Sequence, residues 1–418
     1  MIQRKILQKI KLWLGKEKIL IINGARQVGK TYLLKEIKKD LEKDGKKVAY
    51  LLADDIDNKP ILKSSATLEL YLKQYYNFPN QFVYVMIDEF QVLNEAGLLL
   101  KNIFDKYKNN IQLIVSGSSA LEINKNSEYL TGRAIHFNVD RVNFKEYFNF
   151  KEGSNIKCYE LANFKELEIF FETFKLKLEL NLDEYLSYGG YPEVLTTQNV
   201  SEKEEVLKSI IKTYIDKDII NQLNIKNVIG FNALIKILVG QIGQLVNNHE
   251  LSSTVNISIN TLKKYLEILV NTYIIDLVTP YFKNIRSEIS KMSKVYVLDI
   301  GIRNYLLRSF NIIANEQGGV MENFVYNALL AQFDKEYIHF YRTNGGAEID
   351  FVIEDKNNKL ILCEVKYRNK INVPIIMKNF EERNKNIGMK IIITKDVLKK
   401  ENNIYFIPAV FLPFVKII

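Results

Sequence analysis

Lys30 and Thr31 close the run Gly24-Ala25-Arg26-Gln27-Val28-Gly29, and two acids, Asp88 and Glu89, end an apolar stretch further along the chain. These are the residue types that phosphoryl transfer uses. Glycines let backbone N–H groups curl round a β-phosphate, and a lysine reaches the β- and γ-phosphates. A threonine hydroxyl and an aspartate ligate Mg²⁺, while the neighbouring glutamate orients or deprotonates water. Ser116 ends a third apolar run, Ile111-Gln112-Leu113-Ile114-Val115, where it would touch the γ-phosphate or that water. Ser118 and Ser119 read equally well as caps of a following helix.

A second constellation comprises Asp350, Glu364 and Lys366, with Glu322 upstream. Two acids can hold Mg²⁺ while a lysine steadies developing charge, which is the chemistry of metal-assisted phosphodiester hydrolysis. Glu364 and Lys366 stand two apart on an expected strand and so share a face. From spacing alone, a plain salt bridge on a strand face is the competing account.

The elements that would position the first group follow a βαβ pattern. Ile19-Leu20-Ile21-Ile22, Lys47–Leu52, Phe82–Ile87 and Ile111–Val115 are short apolar runs separated by helix-period segments. This predicts an α/β fold, a P-loop NTPase parallel sheet, over residues 1–150. Strand-like runs then disappear, and helical periodicity over 163–178, 182–187 and 202–223 predicts a helical lid across 151–246. Within it, Gly189-Gly190-Tyr191-Pro192 is either a turn that closes over a base through Pro192 or an ordinary helix–helix turn. Residues 247–300 predict a winged helix, with apolar Leu262, Tyr265, Leu266, Leu269 and Val270 buried and Asn260, Lys263 and Lys264 exposed. Residues 301–418 predict helix, three strands, helix and strand, the order of a restriction-endonuclease-like α/β domain.

Composition narrows the partners. The chain has 418 residues and a formal charge of +9, which favours a polyanion, nucleic acid before membrane. Two cysteines and three histidines provide neither a disulfide framework nor a zinc cluster. Residues 1–18 read as a leading amphipathic helix rather than a signal peptide. Residues 228–246 are interrupted by Lys236, Gln241 and Gln244, which argues against a membrane span. The expected compartment is the cytoplasm.

With these pieces in place, the whole chain resembles a family of prokaryotic ATPases. These combine an AAA+-like P-loop domain, a helical lid, a winged helix and a C-terminal nuclease-like domain of the PD-(D/E)xK kind. The matching residues are Gly24 to Thr31, Ile87-Asp88-Glu89-Phe90-Gln91, Ser116 to Ser119, Thr131-Gly132-Arg133 and Gly189 to Val194. Lys294 to Gly301, Glu322-Asn323, Ala347 to Asp350 and Glu364-Val365-Lys366 complete the set. The resemblance implies a sensor role for Ser116 and adenine contact for Gly190-Tyr191-Pro192. It also makes Arg133, and less directly Arg141, candidates for a γ-phosphate or inter-subunit arginine, with an intradomain salt bridge as the alternative for Arg133. Many active relatives place glutamine or tyrosine on the helix after the lysine strand; residues 373–380 carry neither.

The resulting expectation is a switch that binds and hydrolyses Mg²⁺-ATP in DNA transactions or defence, with homo-oligomerisation left open. Two alternatives stand beside it. One is an ATP-gated metal-dependent nuclease; the other is an ATPase whose C-terminal domain only binds nucleic acid, through residues such as Lys366, Arg368 and Lys370, or a protein.

Overall fold

The computed structural model describes residues 2–118, 128–221, 223, 225–282, 291–311, 316–368 and 371–417. Ser119 and Lys370 lie outside the described residues. The chain divides into two compact units, one of residues 2–142 with 271–273, the other containing 143–270 and 274–418. The segments expected as a helical lid, a winged helix and a C-terminal domain thus pack as a single unit.

The first unit opens with helix α1 (Lys5–Lys11) and alternates strand and helix thereafter. The order is β1 (Ile19–Asn23), α2 (Lys30–Lys43), β2 (Lys47–Leu52), α3 (Ser65–Tyr76), β3 (Val83–Asp88), α4 (Ala96–Tyr107), β4 (Ile111–Gly117) and β5 (Ala134–Asn138). All five strands are parallel, in the spatial order β2-β3-β4-β1-β5. Every residue of β1, β3 and β4 is buried, as expected of a sheet covered on both faces. Ile21, Val85, Leu113 and Phe104 belong to the core on one side of this sheet. Removing each such side chain from water contributes about 1.5–3 kcal/mol. The sequence pattern missed β5, a short edge strand with polar His136 and Asn138.

The second unit begins with helices α5 (Phe144–Lys151), α6 (Phe164–Tyr188), α7 (Pro192–Thr196), α8 (Val200–Lys212) and α9 (Val228–Gly240), with a short strand β6 (Tyr159–Glu160) after α5. The breaks expected between 178 and 182 do not occur, because no glycine or proline interrupts that stretch and Asn181 donates back to the Lys177 carbonyl at 2.8 Å. Instead of continuing as α-helix, α8 passes into a π-helical stretch, Thr213–Asn221.

Next come α10 (Asn248–Thr254), α11 (Ile259–Asn271) and the antiparallel pair β7 (Ile275–Val278) and β8 (Lys294–Val297). Asn247 caps α10 through the N–H groups of His249 and Glu250. Leu262, Tyr265, Leu266 and Leu269 form the buried face of α11, Val270 is half-buried, and Asn260, Lys263, Lys264 and Glu267 are exposed.

After α12 (Ile300–Leu307) and α13 (Gln317–Leu330) come β9 (Ile338–Arg342), β10 (Glu348–Glu354), β11 (Leu360–Lys366), α14 (Ile375–Arg383), β12 (Ile387–Thr394), β13 (Lys399–Glu401) and β14 (Ile404–Pro408). The six strands are ordered β13-β14-β12-β11-β10-β9. β9, β10 and β11 form an antiparallel meander, and β12 and β14 run parallel to β11. The β9–β10 register shifts between Ile349 and Val352, beside Asp350. A last short strand, β15 (Val415–Lys416), pairs with β6. Among the described residues, no helix is long and apolar enough to cross a membrane.

Candidate functional site

Parallel register determines which residues share an edge in the first unit. Asn23 lies beside Gly117, Ile87 beside Val115 and Leu52 beside Asp88, so the loop after β1, the end of β3 and the end of β4 meet at the carboxyl edge of the sheet. The loop itself is glycine-dependent. A Cβ on Gly24, at φ +151°, would lie 2.2 Å from the Val139 carbonyl oxygen. Gln27 and Gly29 also have positive φ, and Gly29 caps the fourteen-residue α2. Ala25 and Val28 are buried, Arg26 is half-buried, and Thr31 is the second residue of α2. The Lys30 ammonium, itself buried, donates to the carbonyls of Gly24 at 3.0 Å and Ala25 at 2.8 Å. From outside the motif, Arg4 braces the loop by donating to the Val28 carbonyl at 2.8 Å and the Asp140 carbonyl at 2.5 Å.

Asp88 is completely buried and held on both oxygens. Tyr50, on β2, donates to Oδ2 at 2.8 Å; Ser116 and the Glu89 N–H donate to Oδ1, the latter at 3.1 Å. Burial, the bond to Asp88 and the nearby carboxylates push the Tyr50 hydroxyl well above its ordinary pKa, so it remains a donor. Glu89 adopts φ +55°, a left-handed conformation unusual for a glutamate, and accepts from Gln91, which also reaches Ser118 Oγ at 3.0 Å. An ammonium, loop amides, two acids and a buried serine on one sheet edge fit a nucleoside triphosphate with a divalent ion.

Arg133 is placed elsewhere. Its carbonyl accepts from the Ile19 N–H at the start of β1, the amino edge of the sheet and the end away from the loop. Its guanidinium forks onto Asp105, at 2.6 and 2.9 Å, so the intradomain salt bridge is what forms and a phosphate contact within this unit is not. In the second unit Pro192 opens α7. Asp299 explains the first of the glycines before it, since a Cβ on Gly189 would lie 2.3 Å from Oδ1, and the Gly190 N–H donates to Oδ2 at 2.7 Å.

The second constellation does assemble. Antiparallel pairing of β10 with β11 brings Asp350 beside Glu364: the Asp350 N–H donates to Glu364 Oε2 at 3.2 Å, and the Val365 N–H donates to Asp350 Oδ2 at 2.8 Å. Lys366 bonds Glu364, as their shared face predicts. Glu322 arrives from α13, which is tied to β8 by Asn323. That side chain accepts from the Val297 N–H at 2.8 Å and donates to the Val297 carbonyl at 2.9 Å, acting as a surrogate strand. Tyr296 and Tyr326 stack with centroids 4.5 Å apart, and Phe351 packs against both.

Sequence reasoning assigned no role to the residues this contact delivers. Lys294 Nζ lies 2.9 Å from Glu322 Oε1, 2.6 Å from Glu348 Oε1 and 3.8 Å from Asp350 Oδ1. Tyr296 donates to Glu322 Oε1 at 2.6 Å, and Arg342 holds Glu348 Oε2 at 2.8 Å. The only signal was a lysine and a tyrosine alternating with valines in an otherwise apolar strand. Burial, with the Asp350 charge second, pushes Glu322 and Glu364 up to about 7. Burial works against the charged form of Lys294, yet Glu322, Asp350 and Glu348 together hold it above an ordinary lysine. Among the described residues no group of three or more acids, histidines or cysteines is arranged to hold a metal ion.

A domain family described as an AAA domain matches residues 16–148. Two described as domains of unknown function, DUF8612 and DUF4143, match residues 179–312 and 317–412. An uncharacterized protein of Methanocaldococcus jannaschii is 26% identical over 400 residues, 93% of this chain and 84% of that protein. One of Haemophilus influenzae is 22% identical over 298 residues, 69% of each. The replication initiator DnaA bound to AMPPCP and single-stranded DNA is similar over 65% of this chain and 90% of its own, with a TM-score of 0.33 and 14% identity. The first unit carries an AAA-type P-loop ATPase domain.

Proposed function

We propose that the protein is a Mg²⁺-ATP-driven switch acting on nucleic acid, DNA first, in DNA transactions or defence. The observation that carries this is the meeting of Lys30, Asp88, Glu89 and Ser116 on one sheet edge. Lys30 and the amides of Gly24 to Thr31 hold the phosphates, Thr31 and Asp88 hold the metal, and Glu89, oriented by Gln91, manages the attacking water. Bound Mg²⁺ would offset phosphate charge. The exposed Asn260, Lys263 and Lys264 of α11 support the nucleic-acid partner. Nucleotide-binding and phosphate-release assays on Lys30→Ala test the core of the proposal. Binding and turnover should both collapse, and a variant normal in both would sink it.

Metal-dependent cleavage is the second reading, supported by the convergence of Asp350, Glu364, Lys366 and Glu322. Labelled single- and double-stranded DNA and RNA, incubated with Mg²⁺ or Mn²⁺ with and without ATP, test it. Cutting that disappears in Asp350→Ala would favour it.

A further inference from the structure

The residues of the C-terminal acid cluster do not fit a divalent ion as they stand, because a cation of the chain's own is already there. Lys294 comes from β8, outside the helix–strand–strand–strand–helix–strand run, and contacts carboxylates from α13 and β10. The two oxygens of Glu348 are engaged by Lys294 and Arg342, those of Asp350 by Lys294 and the Val365 N–H, and those of Glu364 by Lys366 and the Asp350 N–H. Mg²⁺ requires oxygen ligands at about 2.0–2.1 Å in near-octahedral geometry. Each shared oxygen would have to take the metal alongside or in place of its present donor, with an ammonium still beside it.

The ammonium is not easily displaced. Its side chain is 2% exposed, and Lys294 pairs with Val278 in the β7–β8 hairpin and bridges to Leu245. Swinging it out would strip a buried ammonium of three carboxylate partners. The charges also come within one of closing without a metal: four acids, Glu322, Glu348, Asp350 and Glu364, face three cations, Lys294, Lys366 and Arg342.

We propose that the Lys294 ammonium takes the place of a divalent cation in this cluster, making the C-terminal domain a self-neutralised module that does not cleave nucleic acid through these acids. The proposal is independent of the ATP-switch reading and opposes the cleavage reading. The partner-binding role then falls to the domain's surface rather than to its acids.

The test uses the full chain without nucleotide and Mn²⁺ as the probe, with free Mn²⁺ followed by electron paramagnetic resonance up to millimolar concentration. Wild type and Asp350→Asn should take up the same amount of Mn²⁺, and wild type should leave labelled DNA and RNA intact. One equivalent of Mn²⁺ bound by wild type and lost in Asp350→Asn would overturn the proposal, as would Asp350-dependent cutting. A second measurement addresses the ion network itself. Lys294→Met should lower the melting temperature, and adding Glu348→Gln should recover part of that loss; a further loss would overturn the assignment. ATP hydrolysis by wild type, recorded in the same preparations, reports separately on the switch.

Discussion

Tyr50, on the strand beside β3, donates its hydroxyl to Asp88 Oδ2 at 2.8 Å and so fixes one oxygen of a completely buried carboxylate. Ser116 fixes the other. A hydrogen bond to a charged group is worth about 1.5–3 kcal/mol. Tyr50→Phe should therefore raise the Mg²⁺ concentration for half-maximal ATP turnover about tenfold or more, with a smaller change in turnover at saturating Mg²⁺. A Mg²⁺ titration of ATP hydrolysis checks this, and an unmoved midpoint would remove Tyr50 from the account.

Gly24 is the least replaceable residue of the loop. Its φ and the Val139 carbonyl 2.2 Å from a would-be Cβ both oppose any side chain. Gly24→Ala should destabilise the first unit by roughly 2 kcal/mol or more and weaken nucleotide binding. Urea unfolding of wild type and variant measures the first effect; coincident transitions would contradict it.

Glu184 gives stability a defined acid limit. Burial opposes its charged form, but the bonds from Lys203 at 2.6 Å and Lys151 at 3.1 Å outweigh that and help hold the carboxyl down at about 2. The unfolded chain therefore takes up this proton first. The stabilisation is complete above about pH 4.5 and is lost as pH falls from there towards 2. Melting temperatures between pH 6 and 3 should fall less steeply in Glu184→Gln. Lys203→Met should cost on the order of 2 kcal/mol at pH 7, because a half-buried carboxylate loses the nearer of its two ammonium partners.

The exposed face of α11 predicts a salt signature. If Lys263 and Lys264 each neutralise one phosphate, Lys263→Glu combined with Lys264→Glu should reduce the slope of log binding constant against log salt by about two. Fluorescence anisotropy with duplex DNA across a salt series measures it. An unchanged slope would place the DNA elsewhere on the protein.

The legible parts of this molecule are contiguous ones. Gly24 to Thr31 form one loop and the first residues of its helix, Asp88 ends one strand with Glu89 next to it, and Glu364 and Lys366 share one strand face. Each depends on local periodicity, which is a property of sequence. Tyr50 was not legible because its role comes from lying across a parallel pair from Asp88, and only the strand order supplies that. Lys294 was hidden for the same reason, since its partners sit on two other elements and only the fold gathers them. For Arg133 the resemblance left a phosphate or inter-subunit contact and an intradomain salt bridge open; the fork onto Asp105 forms because parallel strands have two ends, and β5 starts at the end away from the loop. Gly189 was recognised as part of a turn, whereas the carboxylate of Asp299 that leaves no room for a side chain there lies more than a hundred residues away.

Glu89 holds a left-handed backbone at φ +55° that glycine would adopt freely. A side chain there costs about 1–2 kcal/mol. Glu89→Gly should therefore yield a protein at least as resistant to urea as wild type and far slower at hydrolysis. At this residue, selection for durability and selection for turnover would favour different amino acids.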